Sequence, residues 1–339
     1  LPVHLPAGPY VISNLNLPRN VRLSGVPGAT RLIYGGNGHM LLAEQTEILM
    51  LEGITFDGAN RWLSEDVQGL IQARSVAQLS IDSCRIIGAG RNGIALERCA
   101  GRVQRCEISG AADAAIYSVQ ALGMEISGNT VTACGNGGIL VHRWEAGADG
   151  TLITGNRVSN IAAQAGGTGQ YGNGINVFRA DGVIISGNTV SECAFSAIRA
   201  NSGSNLQITS NNCRASGETA IYAEFAFAGA VINANIVDGA ANGISIVNFN
   251  EGGRMATCSG NVVRNLSTKG PYPADAPGFG NGISVEADTT VTGNVIETAT
   301  SIGIRIGYGP YLRDVIVSSN VLRGTGTGIA VTVVKGSGS

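Results

Sequence analysis

Five side chains in the middle and later part of this chain have the types that proton transfer and charge neutralisation require: His142, Arg199, Tyr222, Glu224 and Glu286. Arginine with tyrosine suits elimination from a uronate sugar. One group neutralises the sugar carboxylate while a base removes the adjacent proton. Arg199 or Arg305 can take the first role, and Tyr222, Tyr117 or His142 the second. Arg199 and Tyr222 stand one repeat apart, which puts their Cα atoms about 4.8 Å apart if repeats stack as strands. Hydrolysis instead needs two carboxyl groups. Glu224 and Glu286 lie two repeats apart, about 9.6 Å by Cα, and an inverting pair needs roughly 6.5–9.5 Å between carboxyls. The third option is binding without catalysis.

Around these residues lie candidates for substrate contact: Tyr117, Trp144, Asn176, Phe178, Asn201, Arg305 and Tyr308. Aromatic rings beside Arg, Asn and Glu suit a sugar chain, which offers apolar ring faces and many hydroxyls. Further aromatics, Tyr171, Phe249, Tyr272, Phe279 and Tyr311, fall in segments between the repeats.

Two alternating motifs must position these groups. The first reads Ile/Val-x-x-Asn-x-Val/Ile, as in Ile126-Ser-Gly-Asn129-Thr-Val131 and Ile185-Ser-Gly-Asn188-Thr-Val190, and it recurs around Asn156, Asn211, Asn235, Asn261, Asn294 and Asn320. Cys84 and Cys106 take the Asn place in earlier copies. The second reads Gly/Ala-Ile-x-Val/Ile, with Ile at positions such as 94, 116, 139, 175, 198, 221 and 244, most often 22 or 23 residues apart. Each repeat holds at least two short strands of period-2 alternation, broken by Gly, Asn and Ser. A unit this small buries its apolar face only by stacking on its neighbours. The pattern predicts an all-β, single-stranded right-handed parallel β-helix of roughly 12–13 coils. It forms one domain over 1–339: less regular coils over 1–70, regular coils over 71–334, and a tail or linker over 335–339. Asn is expected in left-handed backbone at the corners, with its amides stacked as a ladder.

In the Gly-Ile-x-Val strand, Ile and Val point inward and the alternate residues outward. One outward column then holds Tyr117, Asn176, Arg199, Tyr222 and Arg305. The next holds His142, Phe178, Asn201, Glu224 and Glu286. Long connections at 157–172 and 262–280 precede this strand, and longer turns at 143–150, 248–254 and 307–313 follow it. Long loops beside one face of a rigid scaffold are a usual place for function.

Composition excludes other classes. The 339 residues include 50 Gly, and the charged fraction is 14% with a formal net charge of −2. Disorder needs higher net charge and fewer apolar residues. A membrane helix needs about 18 consecutive apolar residues, and no such run occurs. A nucleic-acid binder should show a basic patch. The seven cysteines form no CxxC motif and no zinc-spaced cluster, so they read as buried core thiols. No metal or cofactor is indicated, and calcium has no recognisable site.

The opening Leu5-Pro-Ala-Gly-Pro-Tyr-Val-Ile12 and the two repeat motifs resemble the pectin-lyase-like right-handed β-helix superfamily. More narrowly, they resemble a bacterial family of twin-arginine-translocated β-helix repeat proteins. The resemblance covers essentially the whole chain. It implies export to the periplasm or beyond. The Asn-Thr-Asp, Asp-Asp and Asp-Pro-His-Asp motifs of the superfamily's hydrolases and epimerases are absent, so no family catalytic residue carries over. The expectation is an exported, monomeric or trimeric protein with lyase-like action on an acidic polysaccharide. The alternatives are hydrolysis by paired carboxylates and a non-catalytic glycan-binding or envelope rod.

Overall fold

The computed structural model describes residues 2–167, 169–248, 252–272 and 278–337, and Phe249 lies outside them. Three parallel sheets of 13 strands each run the length of the chain. Every coil gives one strand to each sheet in turn, which makes a right-handed β-helix of about 13 turns. The core is a column of stacked aliphatic side chains. Ile116, Ile139, Ile175, Ile198, Ile221 and Ile244 are all fully buried. All seven cysteines are buried free thiols. Among the described residues no helix is long and apolar enough to cross a membrane.

The corner between the first and second sheets holds the asparagine ladder. Each Oδ1 accepts from the backbone N–H and the Nδ2 of the Asn one coil earlier, and each Nδ2 also donates to a backbone carbonyl of an earlier coil. Asn188 thus donates from N and Nδ2 to Asn211 Oδ1, both at 3.0 Å, and from Nδ2 to the Ile153 carbonyl at 2.9 Å. The ladder runs unbroken from Asn129 to Asn320. The left-handed backbone expected at Asn falls on the preceding residue instead. Gly128, Gly155 and Gly187 have φ of 64°, 64° and 66°, and Ser210 and Ala234 take the same conformation. The division of labour explains the Gly-Asn pairing. The turn needs a residue tolerant of positive φ, and the ladder needs a buried amide.

The third sheet carries the Gly-Ile-x-Val strands. Its glycines let the coil turn inward against the second sheet: a Cβ on Gly174 would lie 2.3 Å from Val190 Cγ1. The register confirms both outward columns. Asn176 pairs with Arg199, Arg199 with Tyr222, Phe178 with Asn201, and Asn201 with Glu224. The segment 143–150 differs from the expected loop. The strand Gly137–Ala148 continues through it and pairs with Asn173–Asp181 across an irregularity between His142 and Gly147.

Candidate functional site

A groove of about 790 Å³ lies on the third sheet. Its floor is the outward columns: Tyr117, Leu140, Asn176 and Arg199 from the first, and His142, Phe178 and Asn201 from the second. Its walls are Gln68, Asn92 and Asp113 from the corner before the strand, Gln170 and Tyr171 from the 162–172 connection, and Phe225. A second hollow of about 370 Å³ continues toward the N-terminus. It shares Gln68 and Tyr117 and adds Gln72, Arg74, Glu97 and Trp144. From the coil of Gln72 to that of Asn201 the register counts five steps, about 24 Å of rod.

The floor is aromatic at its centre. The His142 ring meets Tyr117 edge-on at 5.5 Å and Phe178 at 5.8 Å. Burial lowers the His142 pKa to about 4, so its imidazole is neutral at neutral pH, and its buried Nε2 has no hydrogen-bond partner. Trp144 stands half-exposed on the strand extension with the Arg98 guanidinium 4.8 Å from its ring. Arg179 lies over Phe178 at 4.8 Å and donates to the Trp144 carbonyl.

At the other end Arg199 is held by two carboxylates. Its Nε donates to Glu224 Oε1 at 2.6 Å and its Nη2 to Glu224 Oε2 at 3.1 Å. Its Nη1 lies 3.6 Å from Glu218 and donates to the Gly169 carbonyl. Asn201 also donates to Glu224. The Tyr222 ring lies under the guanidinium at 5.0 Å, and burial pushes its phenol well above the usual range. Behind Arg199, the Tyr272 hydroxyl donates to Glu218 while its ring packs between Phe195 and Phe279. Burial raises the Glu218 carboxyl, against the pull of Arg199.

These contacts define the surroundings of three of the expected site residues. Three of the five N–H donors of the Arg199 guanidinium are taken by Glu224 and the Gly169 carbonyl, and its charge is paired with Glu224 and Glu218. Glu224, 3% exposed, is the partner of Arg199 rather than half of a hydrolytic pair. Glu286 is partly exposed, accepts from the Asn248 backbone N–H and does not line the groove. Arg305 continues the first column four coils beyond Arg199 and does not line the groove. Tyr308 is exposed past the end of that strand, also away from it. Tyr117, His142, Asn176, Phe178 and Asn201 do come together on one floor.

The outward-column reading missed Gln68, Asn92, Asp113 and Glu218. They sit at or just before the start of the strand, Asn92 two residues and Gln68, Asp113 and Glu218 three residues ahead of the buried Ile94, Ile71, Ile116 and Ile221, and that spacing was the available signal. Among the described residues no group of three His, Cys, Asp or Glu side chains is placed to hold a metal.

The family described as right handed beta helix region matches residues 33–157 and 144–263. No curated protein matches the chain. Among solved structures, the pre-mature gene product 12 of bacteriophage phi29 superposes with a TM-score of 0.64 at 14% identity, over 100% of this chain and 54% of that one. This chain thus spans about half the phage protein. The A-module of the mannuronan C-5 epimerase AlgE4 of Azotobacter vinelandii gives 0.55 at 15% identity, over 98% of this chain and 91% of that one. The catalytic unit of a GH87 alpha-1,3-glucanase from Streptomyces thermodiastaticus gives 0.55 at 11% identity, over 97% and 63%. At these identities the likeness is one of fold.

Proposed function

We propose that this chain, which belongs to the right-handed β-helix family, binds an extended polysaccharide in the groove of its third sheet. One observation carries the reading: a run of half-buried rings, Tyr117, His142 and Phe178, is flanked by the amides of Gln68, Asn92, Asn176 and Asn201 along the rod. Rings cover the apolar faces of sugars, and amides both donate to and accept from hydroxyls. A linear groove of about 24 Å suits a chain rather than a compact ligand. Two of the structural neighbours are named as a mannuronan epimerase and an alpha-1,3-glucanase, which supports a carbohydrate. We place the protein in the periplasm or outside the cell, as its repeat resemblance implies.

Recognition is the role the geometry supports best. Of the groups named for elimination and hydrolysis, Arg199 and Glu224 are paired with each other and Glu286 and Arg305 lie outside the groove. The test is a panel of neutral and acidic polysaccharides, followed by calorimetry, ultraviolet absorbance of unsaturated sugars, and new reducing ends. Binding without either product supports recognition. Absorbance with reducing ends shows a lyase, and reducing ends alone a hydrolase. Silence in all three across the panel overturns the reading.

A further inference from the structure

The charges around the groove specify its ligand further. The ionisable groups that line it are Asp113, His142, Tyr117, Tyr171 and Arg199. His142 is neutral at neutral pH. Arg199, the one cation among the lining residues, is bonded by Glu224 and lies 3.6 Å from Glu218. The Asp113 carboxylate has no hydrogen-bond or ion-pair partner among the described residues. The lining itself sums to zero, Arg199 against Asp113; adding the charges in contact with it, Glu218 and Glu224 on one side and Arg179 over Phe178 on the other, gives −1, or zero with Glu218 protonated. In the adjoining hollow Arg74 and Arg98 are paired with Glu44 and Glu97, so it sums to zero and offers no unpaired cation of its own. The phenols register the same field. Burial raises Tyr117 first, and the charges of Glu97 and Asp113 raise it further.

We infer that the groove takes an uncharged polysaccharide and discriminates against uronates, because the only lining cation is already neutralised by buried carboxylates and the one unpartnered charge among the lining residues is Asp113. This inference rests on the polysaccharide reading above. An acidic chain would place carboxylates beside Asp113, while the one guanidinium among the lining residues is already held by Glu224, and like charges without compensation are a means of rejection. A neutral chain meets only rings, amides and hydroxyls.

The experiment is calorimetric titration of the full chain with hexasaccharides of neutral glucans, xylans and mannans, and with hexagalacturonate and hexaguluronate. At least one neutral series should bind about tenfold or more tighter than either acidic one, an effect of roughly 1.4 kcal/mol or more. That binding should stay flat as ionic strength rises. Asp113→Lys should raise affinity for hexagalacturonate about tenfold, and Asp113→Asn is the milder variant if the first fails to fold. Acidic chains that bind at least as tightly as neutral ones, with affinity falling steeply with salt, overturn the inference and leave the polysaccharide reading standing. Absence of binding by every hexasaccharide, neutral and acidic, removes both.

Discussion

Arg199 donates two parallel hydrogen bonds to Glu224 on the next coil, Nε to Oε1 at 2.6 Å and Nη2 to Oε2 at 3.1 Å. The side chains are 15% and 3% exposed, and Glu218 sits 3.6 Å away on the guanidinium's far side. Two carboxylates and one cation thus share a largely dry site. Removing the cation strands both carboxylates, and breaking a buried pair in this way costs about 3–5 kcal/mol. Arg199→Met should lower stability in urea unfolding by that order. The double variant Arg199→Met with Glu224→Gln should recover part of the loss. A single variant as stable as the parent would mean that the pair is effectively solvated.

The ladder makes a similar demand on the opposite side of the rod. Asn211 accepts from the Asn188 N–H and Nδ2, and donates to the Ile185 carbonyl and to Asn235 Oδ1, all at 3.0 Å. Asn211→Ala leaves the Asn188 N–H and the Ile185 carbonyl of the preceding coil unpaired, each at about 1–3 kcal/mol, while Asn235 Oδ1 keeps the Asn211 backbone N–H. The expected loss is at least about 2 kcal/mol, read from the thermal or urea midpoint. Asn320→Ala, at the less buried end of the ladder, should cost less.

Protonation of His142 gives a pH dependence of known sign. Burial lowers its folded pKa to about 4, from 6.5. Between those values the unfolded chain binds more protons, so stability is full above about pH 6.5 and falls as pH drops toward 4. The shift corresponds to roughly 3 kcal/mol. His142→Phe should flatten the stability profile over that window relative to the parent. An imidazole that titrates near 6.5 by NMR would contradict the burial.

Groove affinity should depend on the rings. Tyr117→Ala, Phe178→Ala and Trp144→Ala should each weaken binding of a responding hexasaccharide by about tenfold, roughly 1.4 kcal/mol. Trp144 is half-exposed, so its variant should melt like the parent and separates recognition from folding. Arg305→Ala and Tyr308→Ala, away from the groove, should leave affinity unchanged.

The thiols offer a simple check of the core. Burial pushes Cys99 and Cys134 up to about 11, and Cys193 and Cys258 up to about 12. Cys84 differs, because its hydrogen bond with Cys106 lowers its thiol pKa. A thiol reagent at pH 8 should label essentially none of Cys99, Cys134, Cys193 and Cys258 in the native protein and all seven cysteines in denaturant, because the thiolate is the reactive form. Prompt labelling of any of those four in the folded chain would place it outside the column.

The repeats themselves determined the architecture. Alternation every second residue and a 22–23-residue period leave a short strand no way to bury its apolar side except by stacking on its copies, so the columns containing Tyr117, Arg199 and Phe178 could be written down from spacing alone. The ladder was legible for the same reason, although the positive φ belongs to the residue before each Asn. Spacing along one outward column cannot show what a side chain meets when it bends sideways. Tertiary structure decided that Arg199 reaches diagonally to Glu224, that Glu218 and Asp113 arrive from the corner outside the counted columns, and that Trp144 rides on an extended strand rather than a loop. Repeat spacing fixes where Cα atoms lie, whereas long side chains and irregular connections choose partners by charge and burial in three dimensions, and the groove's charge balance follows from those choices.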